Sequence, residues 1–328
     1  MLTRNIPDRK DAETPGLLQL DTRICVVPEI ILHQYALSMF SEKMRRLLAY
    51  KKIPWRAVEQ PVIAPKPDLT PLTGGYRRIP VLQIGADIYC DTALMARVLE
   101  RLYPQHVCIP RDQAGLVALL EDWADHRLFM QVVSPVVAEL RSELPPEFFA
   151  DRSTMSPGFT PEALAAAAPH ALTQARQSFD RLEAQLSHHP FLLGPEFTVA
   201  DAACFHCVRF FKNSPRLWTE VTRRPSLAAW VARIEGYGPG QLQPMSGAEA
   251  MMIARNAQPS DLNGCAVVDN EFARGDNVAI TADDYGQERT CGRVIRLAAD
   301  VITVLREDPA VGEIAVHFPR AGYRITKI

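Results

Sequence analysis

The hydrophobic pattern of this chain changes character twice, and that succession constrains the fold more than any single motif. From Glu29, short strand-like runs alternate with amphipathic helices. From about Gln113 to Asn256 the apolar residues recur at helical spacing, and beyond "NAQPSDLNG" they form short runs separated by turns. In the first part "EIILHQY" reads as a strand and is followed by a helix with Phe40, Met44, Leu47 and Leu48 on one face. "KKIPWRAVEQ" ends that helix and supplies a second strand, and "PVIAPKPDLTPLTGGYRR" is too proline-dense for regular structure. "IPVLQIGADIYC" reads as two strands around Gly85-Ala86-Asp87. "DTALMARVLERLYP" then places Met95, Val98, Leu99 and Leu102 on one helical face and stops at Pro104.

The order β-α-β-loop-β-β-α is that of a compact α/β domain of thioredoxin type. The helical stretches "AGLVALLEDWADHRLFMQVV", "EALAAAAPHALTQARQSFDRLEAQLSHH", "VADAACFHCVRFF" and "SLAAWVARIEGY" predict an all-α bundle, and the last part a small all-β domain, a barrel or sandwich of five or six strands. A chain of 328 residues suffices for such a division. We expect a mobile tail at 1–27, the thioredoxin-like domain at 28–106, the all-α domain at 107–260 and the β-domain at 261–328.

Composition narrows the function classes. A charged fraction of 23% and a net charge of -2 give no global basicity for nucleic acid or an anionic membrane. The apolar runs "ICVVPEIIL" and "ALAAAAPHAL" are interrupted by Pro28 and Glu29 and by Pro169, short of a membrane span. The first residues hold no apolar core of signal-peptide length, and seven scattered cysteines fit reduced thiols. The expectation is a cytoplasmic protein without nucleic-acid or membrane partners.

Three places could carry chemistry. Ser38 lies where the first strand meets the first helix, and a helix N-terminus with a hydroxyl favours a bound anion, a thiolate included. Capping of the helix by Ser38 or Ser41 accounts for the same residues without a ligand. "RRIPVL" puts Pro80 at the first residue of an apolar strand, where proline is tolerated. Asp91 and Thr92 open the next helix, where either can cap it. An acid and a hydroxyl there can also grip an amino-acid head group, the carboxylate taking the ammonium.

Taken together, "ILHQYALSMFSEKMRRLL", "GYRRIPVLQIGADIYCDTALMARVLE" and "FLLGPEFTVADAACFHCVRFF" resemble the cytosolic glutathione transferase superfamily over most of residues 28 to 240. The resemblance implies that Ser38 is the catalytic serine acting on glutathione's thiol, and that Ile79 and Pro80 form a backbone clamp with a cis peptide bond. It further implies that Asp91 and Thr92 hold the γ-glutamyl group, and that glutathione is the co-substrate of an electrophilic small molecule in a homodimer with a detoxification role. "TVAD" resembles the family's capping box, and Thr198 and Asp201 do have the N-cap to N3 spacing. Two departures stand out: Asp91 is shorter than the family's usual Glu or Gln, and Met39 replaces a frequent proline.

Tyr35 is a second hydroxyl candidate, and Trp123 and Arg127 are candidates for the co-substrate pocket. "CFHC" reads as buried thiols on a bundle helix, so no metal is expected. "HFPRAGYR" reads equally as an anion or partner site built from His317, Arg320, Tyr323 and Arg324, or as a solvated turn. A non-catalytic binding or regulatory module is the rival reading, motivated by the added β-domain. A glutathione-dependent reductase, isomerase or dehalogenase would share the same site. The β-domain itself could be a wall or lid of the pocket, a dimer contact or a docking site.

Overall fold

The computed structural model describes residues 28–260, 269 and 271–328; the tail expected at 1–27 lies outside the described residues. The first domain follows the expected order: β1 (Ile31–Gln34), α1 (Met39–Tyr50), β2 (Pro54–Glu59), the short α2 (Thr70–Thr73), β3 (Val81–Ile84), β4 (Asp87–Cys90) and α3 (Thr92–Leu102). β1 pairs parallel with β2 and antiparallel with β3, which pairs antiparallel with β4. Side chains alternate across these strands, so two separate cores form. Leu82 and Tyr89 face the cluster shared with α1, α3 and the helical bundle, whereas Val81, Ile88 and Cys90 face the opposite one.

The bundle comprises α4 (Ala114–Asp122), a π-helical turn Trp123–Leu128, α5 (Phe129–Leu140), α6 (Pro146–Met155), α7 (Pro161–Leu186), α8 (Val199–Phe210), α9 (Pro215–Thr222) and α10 (Pro225–Glu235). Its central helix α8 starts as expected. The Asp201 carboxylate accepts from Thr198 N at 2.9 Å, and also from Leu192 N and Trp230 Nε1, tying the loop before α8 to α10. Among the described residues no helix is long and apolar enough to cross a membrane.

The C-terminal region is strand-rich, with β6 (Asn277–Ala282), β7 (Thr290–Leu297), β8 (Val301–Asp308), β9 (Gly312–Pro319) and β10 (Tyr323–Lys327). The all-β region that the sequence suggested is present, and its strands continue the sheet of the first domain. β9 pairs parallel with β4, opposing Asp87 to Ala315 and Tyr89 to His317, and with β5 (Gln241–Met245) at the far edge the sheet becomes one of ten strands, β10-β6-β7-β8-β9-β4-β3-β1-β2-β5. Val278, Ile280, Val304, Val316 and Phe318 complete the second core against Val81, Ile88, Leu72 and Tyr76. At the seam Asp87 binds His317 Nε2 at 2.8 Å and the Ser260 hydroxyl at 2.7 Å. The far edge strand β5 (Gln241–Met245) pairs parallel with β2 and leads into α11 (Gly247–Asn256). This strand was not foreseen, because four of its five residues are exposed and it carries Pro244.

His33, fully buried on β1, shows how the interior constrains protonation. Gln60 Nε2 donates to its Nδ1 at 3.2 Å, so the ring proton sits on Nε2 and is donated to Gln83 Oε1 at 2.9 Å. Burial pulls its pKa down to about 4, only partly offset by the Gln83 bond. The folded value lies below the unfolded one, so this contribution is complete above pH 6.5 and is lost as pH falls from 6.5 towards 4. The loss amounts to about 3 kcal/mol. Urea denaturation at pH 7 and pH 4 should show His33→Asn losing about that much less than wild type on acidification. Equal losses would mean that another group carries the acid sensitivity.

Candidate active site

Ser38 ends the turn after β1 and is the N-cap of α1. Its Oγ accepts from Ser41 N at 3.1 Å and lies 3.5 Å from the Ile79 carbonyl oxygen, to which it donates. The sequence left capping by Ser38 or Ser41 open, and the structure gives it to Ser38. Ser38 is 5% exposed and is not among the cavity residues, whereas Phe40, two residues on, lines a cavity of about 600 Å³. Ile79 and Pro80 line the same cavity, and their peptide bond is cis.

Asp91 and Thr92 enter the cavity wall from the N-terminus of α3. Asp91 has φ 75° and ψ 130°, a region that a non-glycine residue occupies at a cost on the order of 1–3 kcal/mol. Such a conformation persists where the surroundings over-determine it, and here Asp91 Oδ1 caps α3 by accepting from Ala93 N at 2.9 Å. Thr92 is buried, and its Oγ1 accepts from Lys43 Nζ at 3.0 Å. An ammonium has no acceptor, so the Thr92 proton is free to be donated to a ligand.

Lys43 is the centre of a buried charge group. It binds Glu121 Oε1 at 2.8 Å and the Asp125 carboxylate, whose other oxygen lies 3.0 Å from His206 Nε2. Burial pushes the Glu121 carboxyl up, and the Asp125 charge beside it adds to that push, so Glu121 stays above the usual carboxylate range. Asp125 is buried too, but Lys43 and His206 hold it below that range. Lys43 had a sequence signal that went unused: it falls between Phe40, Met44 and Leu47 on the apolar face of α1.

The remaining wall comes from the strand-rich region. The Asp283–Tyr285 turn after β6, Asp300 and Tyr323 all border the cavity. Tyr323 OH reaches Asp91 Oδ2 at 3.2 Å. Arg78, beside the Ile79 clamp, forms an ion pair with Asp284 and lies 4.0 Å over the Tyr285 ring. The added region therefore borders the cavity.

The other candidates are placed elsewhere. Tyr35 is half-buried, accepts from Arg152 Nη2 at 3.3 Å and is not among the cavity residues. Trp123 packs on the main core and Arg127 is exposed. From this stretch Ala118, Glu121, Asp122, Asp125 and His126 reach the cavity instead. These five recur at the i, i+3, i+4, i+7 and i+8 spacing of one helical face, and Trp123 and Arg127 each follow a member of that stripe by one residue, about 100° around the helix. Cys204 and Cys207 are fully buried thiols whose pKa values burial pushes well up. Among the described residues no group of His, Cys, Asp or Glu is arranged to hold a metal. In "HFPRAGYR", His317 and Tyr323 are buried, Arg320 pairs with Asp269 and Arg324 is exposed.

Comparison with known proteins places this architecture. Residues 32–106 match the family model "Glutathione S-transferase, N-terminal domain", and residues 163–233 match "Glutathione S-transferase, C-terminal domain". A GST-like protein from Pseudomonas syringae is 40% identical; the alignment covers 92% of this chain and 100% of that one, with a TM-score of 0.77. That span is more than residues 28–260 alone can supply, so it reaches the strand-rich region. A glutathione S-transferase from Rhodospirillum rubrum F11 is 18% identical over 64% of this chain and 89% of its own, with a TM-score of 0.51. Poplar glutathione transferase F1 is 14% identical over 70% and 99%, also at 0.51. These last two share the fold. No curated protein matches.

Proposed function

The chain belongs to the glutathione S-transferase family, and from that premise we propose that it binds glutathione in this cavity and activates its thiol for attack on an electrophilic small molecule. The observation that carries the reading is that Ile79, Pro80, Asp91 and Thr92 line one cavity, with the Ser38 hydroxyl at the N-terminus of α1 3.5 Å from the Ile79 carbonyl. In this scheme the Ile79 backbone pairs with the cysteinyl backbone, Asp91 takes the γ-glutamyl ammonium and Thr92 donates to the carboxylate.

The Ser38 proton now points at a carbonyl 3.5 Å away, a long bond. Turning that proton to a ligand sulfur sacrifices little. The hydroxyl and the positive end of α1 then favour the thiolate over a thiol of ordinary pKa about 8.5. The thiol proton leaves to solvent, the sulfur lone pair forms the C–S bond, and the leaving group departs with its electron pair.

Calorimetric titration with reduced glutathione tests the reading. Asp91→Ala should weaken binding about tenfold or more, because it removes a charge-assisted bond. Ser38→Ala should leave the Kd within a few-fold but lower turnover of an activated aryl halide about a hundredfold, the size of losing one donor to a developing anion. Glutathione binding with no turnover of any electrophile would favour the binding-module reading, which the nearly complete burial of Ser38 supports. No glutathione binding at all would remove the enzyme reading and leave a non-catalytic module that works through the strand-rich region.

The same reading includes a homodimer in the cytoplasm. The exposed apolar side chains Leu116, Leu119 and Met130 on α4 and α5 support a covered face there. The free thiols of Cys90, Cys108, Cys204 and Cys207 fit a reducing compartment.

A further inference from the structure

The carboxylate assigned to the ammonium is not held by its own domain alone. Asp91 Oδ1 is fixed by Ala93 N, and Oδ2 meets the Tyr323 hydroxyl, which comes from a residue 232 positions away along the chain. Tyr323 is itself immobilised. Its ring lies 5.2 Å from that of Phe318 and 6.5 Å from that of Tyr76, and its hydroxyl is 3.5 Å from the Tyr76 hydroxyl. The turn that presents it is pinned by Asp283 N donating to the Gly322 carbonyl at 3.0 Å. The neighbouring Asp284 and Tyr285 clasp Arg78, one residue before the Ile79 clamp. The strand-rich region therefore touches both recognition elements of the first domain, the acid and the clamp.

We propose that Tyr323 is a positioning residue for ligand recognition: its hydroxyl fixes the plane of the Asp91 carboxylate, so that the site selects ligands with a free α-ammonium group. The inference rests on the glutathione reading given above. A carboxylate held through one oxygen can rotate. Held through both oxygens by separate donors, it keeps its remaining lone pairs aimed into the cavity, where an ammonium can take them. Such a cation is bound only weakly if the carboxylate must first be ordered, and ordering is what Tyr323 supplies in advance.

Tyr323→Phe deletes the hydroxyl and keeps the ring against Phe318 and Tyr76, and a thermal melt would check that it stays folded. Glutathione affinity of wild type, Tyr323→Phe, Asp91→Ala and the double variant would be read by ligand-detected NMR, which reaches millimolar Kd. The expected result is about tenfold weaker binding for Tyr323→Phe, with no further loss when the change is made on top of Asp91→Ala, since the tyrosine acts through the acid. A purely structural role would lower the melting temperature and leave the Kd in place. Binding within twofold of wild type, or a full additional loss in the double variant, would overturn the proposal while the glutathione reading stands. Failure of wild type to bind glutathione would instead remove the reading beneath it.

Discussion

Deleting residues 262–328 is expected to leave a chain that is insoluble or aggregates, and not a smaller transferase. The cut removes β9 from β4 and opens a strand edge of sequence "DIYC", four buried residues with one charge. That charge, Asp87, would lose His317 as well. Edge strands that are apolar and unprotected are templates for association. The same cut uncovers Leu72, Tyr76, Val81 and Ile88, which now pack against Val278, Ile280, Val304 and Phe318. At about 1.5–3 kcal/mol for each large apolar side chain returned to water, four such residues approach the 5–15 kcal/mol by which a domain is ordinarily stable. Soluble yield and size-exclusion profile would decide. A soluble, monodisperse product with unchanged glutathione affinity would show that the strand-rich region is separable, and would return it to the role of a docking module.

What could be read in the sequence, and what could not, divides along a physical line. Elements whose signal is local were legible. The period of 3.6 residues in α1 and α3, the hairpin of β3 and β4, Pro80 at its strand start and the Thr198–Asp201 cap all depend on near neighbours in the chain. Features that depend on distant segments were not. The parallel pairing of β9 with β4 joins residues more than two hundred positions apart, and nothing in "EIAVHF" states which edge it will seek. Tyr323 belongs to the site only through that pairing. Its motif was noticed, but a turn rich in arginine reads as solvated until the partner strand is known. Trp123 and Arg127 lie outside the cavity for another reason: the stripe that faces it, Ala118, Glu121, Asp122, Asp125 and His126, is one residue out of step with them and mostly polar, so an apolar pattern does not pick it out. Ser38 lies between these cases. Its cap was legible, whereas its approach to the Ile79 carbonyl needed the sheet.

Lys43→Ala should be the most damaging single substitution, at about 3–5 kcal/mol, the range for breaking a buried ion pair from one side. The lysine is 0% exposed and sits among the buried residues of α1. Burial drives its ammonium to give up the proton, yet Asp125 and Glu121 more than offset this and hold the pKa above the ordinary lysine value. A raised folded pKa gives stability that is complete below the unfolded value near 10.4 and lost only as pH rises through the higher folded one. The contribution is therefore constant across neutral pH. Without the lysine, Glu121 and Asp125 face each other with no cation between them, and the Glu121 carboxyl, already pushed up by burial, should take a proton on folding. The variant would then gain stability as pH falls from 7 towards 5, on top of any loss it shares with wild type. Urea denaturation at those two pH values reads both effects, and adding Glu121→Gln should recover part of the loss and flatten the extra pH slope. A destabilisation below about 1 kcal/mol would mean that the carboxylates are neutral in the fold.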